Sequence, residues 1–375
     1  MNILELLEAA VDCRASDIYI IAGLAATVRK NKKIQQEFPD KLTAADTEQL
    51  VTELYALADD RDMETLRETG DDDFSFSVRN LSRFRVSAFK QRGSYSAVIR
   101  VISFALPDYR NLHIPESVMT LADSRQGMVL VTGSAGSGKS TTLACIIDRI
   151  NRTREAHVIT LEDPIEYLHG HQKSIVTQRE IGSDTQSYIK ALRAALRQSP
   201  DIILLGEMRD YESIDVAMTA AETGHLLFST LHTLGAANTI ERIIDVFPGN
   251  RQRQIAVQLS MTLNAVVSQQ LVPALDGTAV PAFEIMTVTP AIRAMIRDDK
   301  VHQLEGMMSS ASRPEMRSMD ASLMELYRKN IISRDTALYY AVNADLMQKK
   351  YKKFSQIMDL FLKKVRLIFM KKKWE

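Results

Sequence analysis

The chain has 375 residues, with 47 lysines and arginines against 47 aspartates and glutamates, so its formal net charge is zero. That length predicts two domains, or three, and the charge balance excludes a chain built to coat nucleic acid along its whole length. Hydrophobic residues at 45% disfavour intrinsic disorder, and two cysteines, Cys13 and Cys145, are too few for a disulfide scaffold or a four-cysteine zinc site.

The first residues, MNILELLEAAVD, place no basic segment ahead of an apolar core, and no apolar run reaches about 18 residues. Neither a signal peptide nor a membrane span is expected, and the default compartment is the cytosol. Ile3, Leu6, Leu7 and Ala10 share one helical face, which predicts a helix over residues 2–13. A strand is expected at 17–23, then a short basic segment, then a second helical stretch over 43–69. Residues 59–73 carry eight acidic and two basic side chains. A cation or partner site is one reading of that run; a solvated helix end and loop is the simpler one. Segments 74–78, 84–89 and 95–102 alternate with period two, which predicts a half-exposed antiparallel sheet. The first unit is therefore α+β. A proline-containing linker follows, best placed at 106–117.

The texture then changes. MVLVT at 128–132, HVITL at 157–161, DIILL at 201–205 and HLLFST at 225–230 are short and nearly continuous in apolar residues. Strands that read apolar on both faces belong to a parallel sheet covered by helices. Helical patterns between them, including 141–150 and 185–197, predict an α/β domain. From about Arg251 to Asn343 the chain reads as mostly helical.

Residues 133–140, GSAGSGKS, fit G-x-x-x-x-G-K-[ST] at every fixed position, between a strand and a helix. Gly133, Gly136 and Gly138 let the backbone turn its N–H groups toward phosphate oxygens. Ser134, Ala135, Ser137 and Thr141 complete the cradle, Lys139 meets the terminal phosphates, and Ser140 offers a hydroxyl to Mg²⁺. Glu162, Asp163 and Glu166 follow one apolar strand and Glu207 follows another. Ligands of α/β sheets sit beyond such strand ends. There a carboxylate can order metal-bound water or orient the attacking water. His225 and His232 flank the strand at 225–230 and are candidates to contact a γ-phosphate. His113, His157, His169, His171 and His302 follow no pattern and read as structural or exposed.

These residues resemble the type II/IV secretion ATPases and, within them, the PilT-type retraction motors of type IV pili. GSAGSGKSTT resembles the family's Walker A box, TLEDPIEY its Asp box, ALRQSPDIILLGEMRD its Walker B box and TAAETGHLLFSTLHT its His box. ASDIYI resembles the opening of the family's PAS-like domain. AIRAMIRDDK resembles a segment tied to retraction, with Ala294 and Asp298 replacing the usual Asn and Glu. The segment after ASDIYI, IAGLAATVRKNKKI, departs from the Gly and Pro pattern usual there.

The resemblance implies an α/β chain with a PAS-like N-terminal α+β domain over 1–103, a linker over 104–117 and a RecA-like P-loop ATPase core over 118–280. A helical C-terminal region would span 281–348. Glu166 matches the general base, Glu207 the residue that supports Mg²⁺, His232 the His-box residue near the γ-phosphate and His225 its companion. Arg85 and Arg100 match arginines that reach the nucleotide of a neighbouring subunit. The implied protein is a homohexameric ATP-driven motor for pilus retraction. It would use ATP and Mg²⁺, act on an inner-membrane platform protein, bind no nucleic acid, and work in the cytoplasm at the inner face of the cell membrane. Pilus extension, type II secretion and an accessory retraction subunit are the alternatives. Extension and type II secretion members usually carry a long N-terminal extension and a four-cysteine element.

Residues 349–375 fall outside the resemblance. They hold ten basic and two acidic residues, net +8, so the remaining chain carries −8. Phe354, Ile357, Met358, Phe361, Leu362, Val365, Ile368 and Phe369 recur at helical spacing. A membrane-surface or partner-binding helix is expected, with a packed final helix as the other reading.

Overall fold

The computed structural model describes residues 2–30, 33–102, 106–311, 313, 315–349 and 351–352. The amphipathic part of the basic tail, from residue 353 onward, lies outside the described residues. The chain forms two compact units. The first is Met1–Leu106 with Glu162–His171 and Val176–Ser187; the second is Pro107–Leu161, Gln172–Ile175 and the chain from Tyr188 on.

In the first unit α1 spans Ile3–Asp12 and is started by a capping box in which Asn2 and Glu5 bond each other's backbone N–H. Such a cap contributes about 1 kcal/mol. Then come β1 (Asp17–Ile20), β2 (Ala25–Lys30) and β3 (Lys33–Lys41). The basic segment of the sequence is thus a pair of strands, legible afterwards in the alternation of ATVRK. Pro39 is tolerated because β3 is an edge strand. The single helical stretch expected over 43–69 is two helices, α2 (Ala44–Leu57) and α3 (Glu64–Thr69). Asp59 and Asp60 break it by taking positive φ, 56° and 52°, a conformation that aspartate tolerates better than most residues.

Strands β4 (Asp71–Val78), β5 (Ser82–Gln91) and β6 (Ser94–Ile102) fall where alternation placed them. The antiparallel sheet has the order β3-β2-β1-β6-β5-β4. Ile18, Ile20, Phe84, Val86, Ala97 and Ile99 are buried with Leu6, Leu7, Leu50 and Leu54 of the helices. Of the acidic run, Asp72 is buried and structural: it accepts from the Tyr55 hydroxyl at 2.9 Å and twice from Arg61 at 2.9 and 3.0 Å. Most of the others are exposed, and no cluster able to hold a metal occurs among the described residues.

After the linker, α4 (Glu116–Met119) leads to β7 (Gly127–Thr132), α5 (Lys139–Thr153) and β8 (His157–Glu162). Then follow β9 (Ile175–Glu180), α6 (Tyr188–Ala195), β10 (Ile202–Leu205), α7 (Tyr211–Glu222) and β11 (Leu226–Leu231). Strands β7, β10 and β11 are buried at every position, as their lack of alternation requires. Next come α8 (Ala236–Asp245) and α9 (Gly249–Thr262).

The mostly helical reading beyond Arg251 is corrected here. Strands β12 (Leu263–Pro273) and β13 (Ala279–Thr287) form a long antiparallel pair. They continue the sheet in the order β14-β13-β12-β7-β11-β10-β8. An apolar run buried on both faces has no period that separates strand from helix. Helices α10 (Pro290–Arg297) and α11 (Leu304–Ser310), the short strand β14 (Met316–Arg317), α12 (Met319–Arg328) and α13 (Arg334–Tyr339) follow, and residues 344–349 are helical. No helix among the described residues is long and apolar enough to cross a membrane.

Candidate functional site

The loop after β7 owes its shape to glycine. Gly133, Gly136 and Gly138 sit at φ of +145°, +75° and +90°. A Cβ on Gly133 would stand 2.2 Å from the Gln269 carbonyl oxygen, and one on Gly138 would stand 2.8 Å from the Gln269 side-chain nitrogen. Helix α5 begins at Lys139, so its N-terminal partial positive charge faces the loop. The Lys139 ammonium donates to the carbonyls of Gly133 (2.8 Å) and Ser134 (2.9 Å) and is held over the loop. Ser134, Ala135 and Gly136 are exposed, whereas the Ser137 hydroxyl oxygen is buried with no partner. The result is an anion cradle with a cation at its mouth.

Gln269, on β12, is a residue the sequence reading missed. Its carbonyl and amide press against two loop glycines, and its side-chain oxygen accepts from Thr142 on α5 at 2.8 Å. The neighbouring strand therefore braces the loop from behind. The signal was a pair of glutamines inside an apolar run, VVSQQLV.

Strand register brings three of the expected elements to one end of the second unit. Strands β7, β11 and β10 are adjacent and parallel, with Thr132 opposite Leu231 and Ser229 opposite Leu205. The phosphate loop, His232 and Glu207 thus all lie just beyond C-terminal strand ends. The Glu207 carboxylate lies 3.3 Å from His232 Nε2 and is paired with Arg209. A carboxylate oxygen accepts, so that ring nitrogen carries the hydrogen. The Thr230 hydroxyl holds the turn after β10 through the Gly206 carbonyl at 2.6 Å. Ser140 and Glu207 offer hydroxyl and carboxylate oxygens, the donor chemistry that Mg²⁺ prefers, and Mg²⁺ needs few protein ligands when a phosphate supplies others.

His225 is separated from this group. It precedes β11, its carbonyl accepts from Gly127 at the start of β7, and its ring sits against the Ala220 carbonyl and the Thr223 hydroxyl. It caps the end of α7 beside the N-terminal end of β11, the end opposite His232, so its expected place beside His232 at a γ-phosphate is corrected.

A cavity of about 250 Å³ adjoins the loop, between Asn111–Ile114 of the linker, Gly138, Thr141, Gln269 and Leu271. Apolar walls next to a phosphate cradle suit a nucleoside. A larger cavity of about 530 Å³ lies near α8 and α13. Among the described residues its lining holds Glu284 and Glu305 and no cation, which makes it a poor seat for an anionic nucleotide. Burial raises the Glu284 carboxyl pKa above its ordinary value, against the backbone N–H groups of Ala236 and Met319, which lower it.

The remaining expected residues belong to the first unit. Glu166 is exposed, and the Glu162 carboxylate accepts from Gln178 at 3.3 Å. Arg85 and Arg100 are directly opposite on β5 and β6, and Asp17 on β1 pairs with Arg100 at 3.2 Å and with Arg29 at 3.4 Å. Side chains directly opposite share a face, and like charges there are unfavourable without an anion between them. Asp17 meets one of the two.

Comparison with known proteins shows the family of the chain. The family described as type II/IV secretion system protein matches residues 2–365, so the expectation that the chain leaves the resemblance at residue 349 is corrected for 349–365. The type IV pilus retraction ATPase PilT of Pseudomonas aeruginosa is 42% identical over 337 residues, covering 90% of this chain and 97% of that one. The type IV pilus ATPase PilU of the same organism is 38% identical, covering 92% and 90%. A crystal structure of the pilus retraction motor PilT with bound ADP superposes with a TM-score of 0.85 at 42% identity, over 93% of this chain and 99% of that one.

Proposed function

The chain belongs to the type II/IV secretion system protein family, and on that premise we propose that it is the ATPase motor that retracts type IV pili and so drives twitching motility. The supporting observation is the glycine-shaped phosphate loop with Glu207 and His232 beyond neighbouring parallel strands, in a chain that covers nearly all of PilT at 42% identity.

ATP would lay its phosphates on the N–H groups of residues 133–141, with the nucleoside in the cavity beside Asn111–Ile114. Lys139 exchanges its two carbonyl partners for phosphate oxygens. Mg²⁺, held by Ser140 and Glu207, would offset phosphate charge when bound. His232, kept in place by Glu207, faces the terminal phosphate. Glu166 accepts a proton from the water that attacks the γ-phosphorus, as the bond to the β–γ bridging oxygen breaks and ADP leaves. Arg85 and Arg100 of a neighbouring subunit complete the charge stabilisation in a homohexamer. The ring passes its motion to an inner-membrane platform protein from the cytoplasmic side. Cells lacking the gene are expected to keep or accumulate pili and to lose twitching, scored by electron microscopy and by colony spreading. Bare cells would mean extension instead. An accessory retraction subunit is the second reading; weak turnover by the purified protein alone would favour it.

The basic tail would hold the motor at the membrane. Each lysine near an anionic surface contributes about 1 kcal/mol, attenuated by salt. Ending the chain after Lys352, which keeps the buried Tyr351, is expected to leave ATPase activity intact and to reduce co-sedimentation with anionic vesicles. Equal sedimentation of both forms, with a lower melting temperature for the short one, would identify the tail as a packed structural helix.

A further inference from the structure

The segment that carries Glu166 is stapled on both sides of that residue. Gln178 and Glu180 are two apart on β9 and so project to one face. Glu180 is buried, and its Oε2 accepts from the Ile165 N–H at 3.1 Å. Gln178 donates to the Tyr167 carbonyl at 2.9 Å and accepts from the His169 N–H at 2.8 Å. Residues 165 and 167 are thus each fixed through the backbone, while Glu166 between them is exposed. The same Oε2 of Glu180 meets the Arg83 guanidinium at 3.3 Å, and both side chains of that pair are nearly excluded from solvent. Arg83 lies on β5, two residues before Arg85, on the same face of that strand.

We propose that Gln178 and Glu180 are positioning residues for Glu166, and that Arg83 makes that position depend on the strand that presents Arg85. The proposal rests on the reading of Glu166 as the base. A carboxylate that takes a proton from water must be placed to a fraction of an ångström, and a misplacement of about 1 Å costs about 10²-fold. Two hydrogen bonds flanking Glu166 restrict its backbone and leave only its own side-chain torsions free. Glu180 would be an uncompensated buried charge without Arg83, so the two move together. When β5 shifts as Arg85 engages a neighbour's nucleotide, the Glu180 carboxylate and the Ile165 amide shift with it. One subunit's contact with its neighbour thereby sets the readiness of its own base. A merely structural ion pair would affect melting and nothing else.

The test uses full-length assembled protein at a temperature well below melting. Glu180→Ala is expected to lower kcat about 10- to 100-fold with KM changed less than twofold, the signature of an interaction felt in the transition state. Hydrogen exchange of the peptide containing Ile165 should quicken in the same variant. Arg83→Met and Glu180→Gln keep side-chain volume, and each should lower kcat in the same sense should the alanine variant fail to fold. In a Glu166→Gln background none of these changes should reduce the residual rate further. Wild-type kcat in Glu180→Gln and Arg83→Met, with Glu166→Gln inactive, overturns the positioning role and leaves the base intact. Wild-type turnover by Glu166→Gln itself overturns the base reading.

Discussion

Glu166→Gln is expected to bind nucleotide as the unaltered protein does and to lose turnover by about 10²- to 10⁴-fold, the usual contribution of a positioned general base. The amide has nearly the shape of the carboxylate but cannot take a proton from water. The described contacts that shape the phosphate cradle are made by other residues. The loop is shaped by Gly133 and Gly138 against Gln269, and its cation is Lys139. Lys139→Ala should therefore behave differently, losing affinity as well as turnover, because it removes the charge that the phosphates meet. A fluorescent nucleotide titration beside a phosphate-release assay separates the two variants. Hydrolysis at the unaltered rate by Glu166→Gln would remove it from the mechanism.

Mixing two inactive variants should restore part of the activity. Arg85 and Arg100 stand side by side across β5 and β6, and an arginine supplied to a transferring phosphate contributes about 10³- to 10⁵-fold. If they serve the neighbouring subunit, Arg85→Ala subunits still own a good phosphate loop, and Lys139→Ala subunits still own good arginines. In rings co-assembled from equal amounts, about one interface in four pairs the intact loop with the intact arginine. Activity near a quarter of the unaltered level is expected if interfaces act independently, against almost none for either variant alone. The measurement is steady-state ATPase activity of co-expressed, co-purified rings. No recovery at any mixing ratio would place the arginines in their own subunit or outside the reaction.

The sequence by itself determined the phosphate loop, because a glycine-rich turn between an apolar strand and a helix is a local matter of backbone freedom and nearby N–H groups. It also determined the strands that end in Glu207 and His232, since runs without alternation require burial on both faces. The alternating strands of the first unit were legible for the converse reason. Only tertiary structure decided which strand ends come together, through the parallel order of β7, β11 and β10. His225 and His232 belong to one motif, yet an extended strand lies between them, and seven residues at about 3.3 Å each span roughly 20 Å. One histidine stays with the loop and the other caps α7. Tertiary structure alone also revealed Gln269 behind the loop, 127 positions from the Thr142 it holds, and β9 beside the Glu166 segment. Each acts through a contact whose partner is set by strand order or by packing, and neither strand order nor packing is written in local periodicity.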